Sequence, residues 1–228
     1  PAESQDDGLH RFGGEQAMTD WHAVDGYVSG RWHIPCSDAA EEKKQTTVAL
    51  LKQFNDLANT DPERGADILH ELLPADSAVP QIFAPFNVEY GFNTRFGEGC
   101  FLNYNCVILD TVEVTIGARA LFGPGCQIIS VEHPVGDLEM RRIGFERGHA
   151  VRIGDDCWFG AGAMVMPGVT IGNRCVIASG AVITKHPPDD SLLAGVPAEV
   201  KRKLNQPGDY RERAELPDAE DRQRVEKQ

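Results

Sequence analysis

A six-residue spacing of large apolar residues constrains this chain more than any other feature of its sequence. The positions in phase are Ile153, Phe159, Val165, Ile171, Ile177 and Ile183. A small or compact residue stands four places after each of them, at Cys157, Ala163, Val169, Cys175, Ala181 and Pro187. A six-residue period fits neither the 3.6-residue turn of an α-helix nor the two-residue alternation of a hairpin. It predicts short strands separated by sharp turns and stacked so that equivalent residues form inner ladders.

The same pattern occupies the preceding stretch of chain. Its large apolar positions are Phe96, Leu102 and Ile108, followed after a two-residue slip by Ile116, Phe122 and Ile128. Three hexads close one triangular coil, and coils stack at the ~4.8 Å spacing of neighbouring strands. The pattern therefore predicts a mainly β fold, a parallel β-helix of about four coils and about 20 Å in height.

The repeat explains the positions of most cysteines without disulfide bonds or a metal site. Five of the six occupy its small position, namely Cys100, Cys106, Cys126, Cys157 and Cys175. There is no CxxC pair, and a chain with this many core residues needs no disulfide staples. We predict that these five thiols are free and face the core, as buried cysteines commonly do.

Composition narrows the classes of function. The formal net charge is −13 and no basic cluster is present, which argues against a nucleic-acid-binding protein. No apolar run reaches the ~18–20 residues of a membrane span. The first residues also lack the basic-then-apolar layout of a secretory signal. We therefore expect a protein of the cytoplasm.

The segments outside the repeat differ in kind. Residues 39–58 carry apolar side chains at helical spacing, and residues 62–73 begin with Pro62 after Asp61, so both predict helices. The expected segments are a disordered or loosely packed N-terminus (1–19), a helical cap (20–80), the β-helix (81–204) with a loop (129–150), and a charged tail (205–228).

The repeat breaks between Ile128 and Val151, and this excursion contains Glu132-His133-Pro134. A long loop leaving a rigid coil commonly carries a catalytic or binding group. His133 lies at the point of departure, and Pro134 stiffens the exit. A lone histidine is also an ordinary loop or core residue, so its neighbourhood has to decide between the two interpretations.

Six stretches carry a resemblance to a known family. They are Pro85-Phe86-Asn87-Val88-Glu89-Tyr90-Gly91, Asn103-Tyr104-Asn105-Cys106-Val107-Ile108-Leu109-Asp110, Glu132-His133-Pro134, Trp158-Phe159-Gly160, Pro167-Gly168-Val169-Thr170-Ile171-Gly172 and Ala194-Gly195-Val196-Pro197-Ala198. On these motifs, residues 20–203 resemble the maltose and galactoside O-acetyltransferases of the hexapeptide-repeat superfamily. The resemblance implies a left-handed coil, a cap like the family's small N-terminal domain, and acetyl-CoA as co-substrate with no metal. It also implies a homotrimer with active sites between subunits, and no nucleic-acid or membrane partner.

The resemblance further implies a direct transfer of the acetyl group. His133 is the expected general base that takes the proton from an acceptor hydroxyl. The oxyanion donor is expected to be the backbone N–H of Ala161. Asn103 and Asp110 are expected to bind acceptor hydroxyls and to help orient the His133 ring, and Glu89 serves the same pocket. The alternative for the first two is a structural role, as an asparagine ladder and an aspartate cap at a turn. No serine or cysteine stands in a nucleophile motif, so no acyl-enzyme is expected.

Four further positions match residues that contact coenzyme A in the family, namely Ser179, Thr184, Lys185 and Arg202. Two departures from the family pattern bear on ligands. Glu199 stands where a basic residue is usual, with Lys201 or Lys203 as compensation, and His33-Ile34-Pro35-Cys36 replaces a Tyr-Asp-like pair that helps to bind sugar. The second departure predicts an acceptor other than maltose or a galactoside.

Three alternatives stay open on sequence alone. The first concerns the acceptor, which is either a sugar or a hydroxylated metabolite of another kind. The carbonic anhydrase version of this fold needs three converging histidines, and only His133 and His149 are suitably placed. A non-catalytic scaffold would not require the set formed by Asn103, Asp110 and His133.

Overall fold

The computed structural model describes residues 30–35 and 38–206. The elements that precede the coil are β1 (Trp32–His33), α1 (Asp38–Leu57) and α2 (Pro62–Leu72). The Asp61 side chain accepts the Arg64 N–H and so caps α2, with Pro62 in its first turn. Both predicted helices are confirmed. The predicted N-terminal segment 1–19 and residues 207–228 of the predicted tail lie outside the described residues.

The chain then winds through stacked coils of short strands. The first two coils are β2 (Gln81–Ile82), β3 (Phe86–Val88), β4 (Thr94–Phe96), β5 (Phe101–Leu102), β6 (Cys106–Leu109) and β7 (Val114–Ile116). The third begins with β8 (Leu121–Phe122) and β9 (Gln127–Ile129), makes an excursion through β10 (Val131–Glu132), α3 (Leu138–Ile143) and β11 (Glu146–Gly148), and closes with β12 (Val151–Ile153). The remaining strands are β13 (Trp158–Phe159), β14 (Met164–Val165), β15 (Thr170–Ile171), β16 (Val176–Ile177), β17 (Val182–Ile183), β18 (Ser191–Ala194) and β19 (Glu199–Lys203).

Three parallel sheets form the faces of a triangular prism. The first face is β2, β5, β8, β13, β16 and β18, with β19 added antiparallel at the end. The second face is β3, β6, β9, β14 and β17, and the third is β4, β7, β12 and β15. We name each edge by the face it follows. The first edge contains Asn103, Pro124, Ala161 and Ser179, the second Glu89, Asp110 and Ser130, and the third Ala118, Asp155, Asn173 and Asp189.

The predicted inner ladders form the core. Val165, for example, pairs in register with Ile128 on one side and Ile183 on the other, and all three are buried. The rings of Phe122 and Phe159 stack with centroids 4.5 Å apart. Five cysteines are free and buried at the small position, as predicted, while Cys36 lies outside the described residues. The predicted fold class, a mainly β parallel β-helix with a helical cap, is confirmed.

Two details of the prediction are corrected. The prism has five coils and a sixth layer on the first face, not about four, because its first coil contains a longer turn at residues 89–93 that breaks the six-residue phase. Residues 129–150 are not a plain loop. Ile129 ends β9, and β10 and β11 form a small antiparallel sheet with β1, in the order β1-β11-β10.

Both ends of the stack are covered. At the base, the Asn55 side chain bonds both the N–H and the C=O of Phe86, and Asn59 does the same for Ala84. These amides satisfy backbone groups that a neighbouring strand would otherwise bind. At the top, β19 pairs antiparallel with β18 and exposes all five of its residues. Among the described residues, no helix is long and apolar enough to cross a membrane.

Candidate active site

The ring of His133 is held through one nitrogen. Its Nδ1 lies 2.8 Å from the backbone oxygen of Phe145, at the start of the returning strand β11. A carbonyl oxygen can only accept, so Nδ1 carries the hydrogen and the neutral ring keeps its lone pair on Nε2. The residue is exposed to solvent. The geometry therefore presents a proton acceptor of defined tautomer at the surface.

The excursion that carries His133 is tied together by its own side chains. Asp137 caps α3 by accepting the Met140 N–H, and Gly144 ends this helix with a φ of 97°. The Arg141 guanidinium donates to the backbone oxygens of Pro134 and Val135, both at 2.6 Å. The position of His133 thus rests on the pairing of β10 with β11 and on these contacts, and not directly on the coil as the sequence suggested.

Glu146 is a site residue that sequence reasoning missed. It is 8% exposed, and its Oε1 lies 3.1 Å from Nε2 of His33. Burial raises the pKa of the Glu146 carboxyl, the charge of Glu89 raises it further, and His33 and His133 lower it. His33 reaches it because β1 pairs with β11, and no local sequence pattern indicates that pairing.

Asp110 is buried at the second edge of the prism. Its side chain is 0% exposed, Oδ1 accepts the Tyr90 N–H at 2.8 Å, and Oδ2 accepts the Thr94 hydroxyl at 2.9 Å. Burial is the main cause that raises the pKa of Asp110 to about 7. These contacts fix the second edge, and the expected contact of Asp110 with an acceptor hydroxyl stays a prediction.

Glu89 lies on the same edge and is half-buried. Its Oε1 accepts from Nζ of Lys44 at 3.1 Å, and its Oε2 accepts from the Thr111 hydroxyl at 2.8 Å. The charge of Glu89 is one of the causes that raise the pKa of Glu146. Glu89 therefore borders the region of His133, and its contact with an acceptor stays a prediction.

Asn103 and Ala161 lie on the first edge, two coils apart. Asn103 Oδ1 accepts the Tyr104 N–H at 2.8 Å, and within residues 30–35 and 38–206 its NH₂ group has no acceptor. The N–H of Ala161 likewise has no acceptor in the described part of the chain, and the residue is exposed. The N–H of Ser179, one coil above, also has no acceptor among the described residues, and this residue is exposed as well. The first edge thus presents a column of unengaged donors, as an oxyanion or an amide-bearing ligand requires.

The other expected coenzyme A residues are spread around the prism. Thr184 and Lys185 are exposed on the second edge, directly after β17. Arg202 is exposed on β19, opposite Leu192 at the start of β18. Lys201 is paired with Glu199 at 3.1 Å, so its charge is partly neutralised.

The structure divides the predicted set between two edges of one prism. His133, Glu89 and Lys185 follow strands of the second face, whereas Asn103, Ala161 and Ser179 precede them. A whole strand of that face separates the two edges within one chain. No group of three or more metal-ligating side chains occurs among the described residues.

Comparison with known proteins places this geometry among characterised relatives. Residues 150–185 match the family described as bacterial transferase hexapeptide (six repeats). The galactoside O-acetyltransferase of Lactococcus lactis subsp. lactis is 33% identical over 76% of this chain and 84% of its own length. The crystal structure of a maltose O-acetyltransferase from Clostridium difficile 630 is 31% identical, with a TM-score of 0.75 over 79% of this chain and 96% of that one. A hexapeptide-repeat acetyltransferase from Vibrio cholerae O1 biovar eltor, complexed with acetyl coenzyme A, is 29% identical, with a TM-score of 0.70 over 75% and 92% of the two chains.

Proposed function

Because the chain belongs to the maltose and galactoside O-acetyltransferase family and is an acetyl-CoA-dependent enzyme, we propose that His133 activates a sugar or other small hydroxyl acceptor for direct acetylation. Nε2 of His133 takes the proton of the hydroxyl while its oxygen attacks the thioester carbonyl. The Ala161 N–H stabilises the oxyanion that forms. As the carbon–sulfur bond breaks, the imidazolium returns its proton to the leaving thiolate, so that an acetyl ester and free coenzyme A result.

The orientation of the His133 ring is the observation that carries this proposal. Its Nδ1–H is engaged by Phe145, which leaves the basic nitrogen available without a change of tautomer. The unengaged N–H groups of Ala161 and Ser179 supply further support, because a thioester oxyanion and the amides of a pantetheine arm need such donors. Lys185 and Arg202 are suitable partners for phosphates.

We further propose that the site is shared between subunits of a homotrimer. One prism carries the base on its second edge and the oxyanion donor on its first, so the two meet only when copies associate. Outward apolar side chains on the first and second faces support lateral packing, notably Leu121, Trp158, Met164 and Val182. The outward residues of the third face are polar or charged, as Arg95, Thr115 and Arg152 illustrate.

The acceptor follows from the relatives only in part. A galactoside and maltose are named for two of them, and we propose a sugar hydroxyl as the first candidate. Ile34, which is 39% exposed beside His33, favours a less polar acceptor, so a non-sugar hydroxylated metabolite is the second candidate. We propose that the reaction takes place in the cytoplasm.

The base is tested by thiol release from acetyl-CoA with a panel of hydroxyl acceptors. We expect His133→Ala to lower kcat by about 10²–10⁴-fold with an unchanged affinity for coenzyme A. Glu132→Gln, which alters the neighbouring ion pairs and leaves the His133 ring untouched, is the matched variant for folding. Undiminished thiol release by His133→Ala would rule out the proposed base.

The shared site is tested by subunit mixing. Ala161→Pro removes the proposed oxyanion donor, and the backbone accepts proline because Pro124 holds the same turn position one coil below. His133→Ala and Ala161→Pro are each expected to be inactive. Mixed trimers of the two should regain about one quarter of wild-type activity, because that share of sites combines both intact groups. Mixed trimers without activity would place both groups in one subunit.

A further inference from the structure

Three side chains from distant parts of the chain form one row across the small sheet of the excursion. His33 lies opposite Glu146 in the pairing of β1 with β11. Glu132 lies opposite Arg147 in the pairing of β10 with β11, so the next residue, His133, comes opposite Glu146. Strands are ~4.8 Å apart, and directly opposite side chains point to the same face. Glu146 therefore stands between the two imidazoles.

The neighbouring row of the same sheet points the other way. It consists of Trp32, Arg147 and Glu132, with the Arg147 guanidinium 4.3 Å from the Trp32 ring centre and its Nε 3.0 Å from Glu132. His149 adds a second contact to Glu132 at 3.1 Å. These contacts hold the sheet together from the face opposite to the row of His33, Glu146 and His133.

The contact between His33 and Glu146 is largely shielded from solvent. Nε2 of His33 lies 3.1 Å from Oε1 of Glu146, and Nδ1 of His33 lies 3.3 Å from the backbone oxygen of Arg31. When Glu146 is ionised its oxygen can only accept, so the Nε2–H of His33 donates to it. Both side chains are about one-tenth exposed, so this contact fixes the orientation of the Glu146 carboxyl.

The groups that face Glu146 come from every element around it. His33 approaches from β1, His133 from the end of β10, and Glu89 from the turn after β3. Glu89 is itself bound by Lys44 and Thr111, so its charge is already engaged. The second oxygen of Glu146 has no donor among the described residues. Glu146 thus has one oxygen fixed by His33 and one left toward the side of His133.

We propose that His33 is a positioning residue for the acetyl transfer: its ring fixes the Glu146 carboxyl, and the ionised Glu146 stabilises the positive charge that forms on His133. This inference rests on the proposed role of His133 as base. Glu146 is one strand from His133, at ~5 Å, so an ionised carboxylate there attracts the imidazolium that forms when His133 takes the proton.

The pH dependence of kcat/KM tests the inference, because a purely structural role would not move it. An ionised Glu146 favours protonated His133, so its loss should shift the acidic limb of the profile to lower pH. We expect a shift of about one pH unit for Glu146→Gln, together with a roughly tenfold lower plateau. His33→Ala removes the donor that fixes Glu146 and should give the same shift, whereas His33→Gln keeps an N–H donor near that position and should retain the wild-type limb. The double variant of Glu146→Gln with His33→Ala should shift no further than either single variant.

His149→Gln is the matched control, since it breaks the other imidazole–carboxylate pair of the excursion and should leave the acidic limb in place. An unmoved limb in His33→Ala, or additive shifts in the double variant, would each overturn the inference. Full activity of His133→Ala would instead refute the proposed function, so the two failures are distinguishable.

Discussion

The first and third edges of the prism share one backbone turn and use its donors in opposite ways. Both turns contain a residue at positive φ, such as Gly162 at 69° and Asp156 at 58°. On the third edge the middle N–H groups donate to side chains of the coil above: Ala118 to Asp155, Asp155 to Asn173, and Asn173 to Asp189, each at 2.8 Å. On the first edge Ala161 and Ser179 have no such side chain above them. The residue in the middle of the turn therefore determines whether the backbone N–H groups of an edge are bound within the protein or remain available to a ligand.

The carboxylates of the prism separate in the same way. On the third edge, Arg174 and Asn205 bind Asp190, and these contacts lower the pKa of Asp190 to about 2. On the second edge, burial raises the pKa of Asp110 to about 7 and also raises the pKa of Glu146. Hydrogen bonds and ion pairs therefore favour the ionised form of Asp190 on the third edge. Burial disfavours the ionised forms of Asp110 and Glu146.

The largest expected effect comes from proline at the middle of each turn. Ala161→Pro should lower kcat by about 10²–10³-fold, because the unengaged N–H is the proposed oxyanion donor. Its melting temperature should stay close to that of the wild type, since no internal hydrogen bond is lost. Steady-state thiol release and thermal unfolding check the two parts.

Ala118→Pro at the equivalent turn of the third edge supplies the matched variant. It removes the N–H that donates to the Asp155 carboxylate, so the free energy of unfolding should fall by about 1–3 kcal/mol while kcat is retained. If both variants lost activity without losing stability, the two edges would not differ as described.

The second prediction concerns the opposite pH dependences of Asp110 and Asp190. Asp110 has a folded-state pKa above its ordinary value, so between about pH 4 and about pH 7 it is ionised in the unfolded chain and still protonated in the native protein, and the free energy of unfolding falls as pH rises through that interval. Relative to Asp110→Asn, the wild type should lose a few kcal/mol over that interval, since each pKa unit corresponds to about 1.4 kcal/mol. Urea unfolding at a series of pH values measures the difference.

Asp190 should show the reverse sign. Its folded-state pKa is depressed, so its contribution is present above the ordinary value near 3.8 and is lost as pH falls through about 2. Relative to Asp190→Asn, the wild type should therefore lose stability on acidification. Parallel pH trends for the two pairs would contradict the contrast between the edges.

A smaller effect is expected from the third-edge caps. Asn173→Ala leaves the Asp155 N–H without its acceptor and should lower the free energy of unfolding by about 1 kcal/mol. Ser179→Ala, at the next first-edge turn along the chain, removes no contact to the backbone and should leave stability unchanged. Equal losses in the two variants, measured by urea denaturation, would show that the caps contribute nothing specific.

The smallest effect belongs to the exposed ion pair of Arg119 with Asp156. The contact is short, at 2.6 Å, but both groups are well exposed. Arg119→Ala should lower the free energy of unfolding only slightly, and high salt should reduce that loss because exposed pairs are screened. A loss that persists unchanged in molar salt would point to packing of the side chain instead.

Most of the coil could be predicted from sequence because its information is local. Ile153 and Ile183 identify their environment through neighbours six residues away, and the cysteines follow from the same phase. Asp61 and Pro62 mark the start of α2 by equally local rules. The number of coils was underestimated because the long turn of the first coil interrupts the six-residue spacing there.

The site was less predictable because its contacts are distant in sequence. His33 and Glu146 are 113 residues apart and meet only through the pairing of β1 with β11. The motif that contains Asp110 gives no sign that Tyr90 and Thr94 bury its carboxyl. The separation of His133 and Ala161 onto two edges was implicit in the repeat, but it becomes evident only when each turn is assigned to a face.

The amides of Asn55 and Asn59 at the base, together with the reversed strand β19 at the top, have a consequence for the length of the protein. A stack of parallel rungs has no intrinsic limit, and an open terminal rung can template another chain. Here the lowest rung is occupied by side chains, and the highest is closed by a strand of opposite direction with charged residues. End-to-end fibres are thereby disfavoured, and any coil gained in evolution has to be inserted between the two terminators.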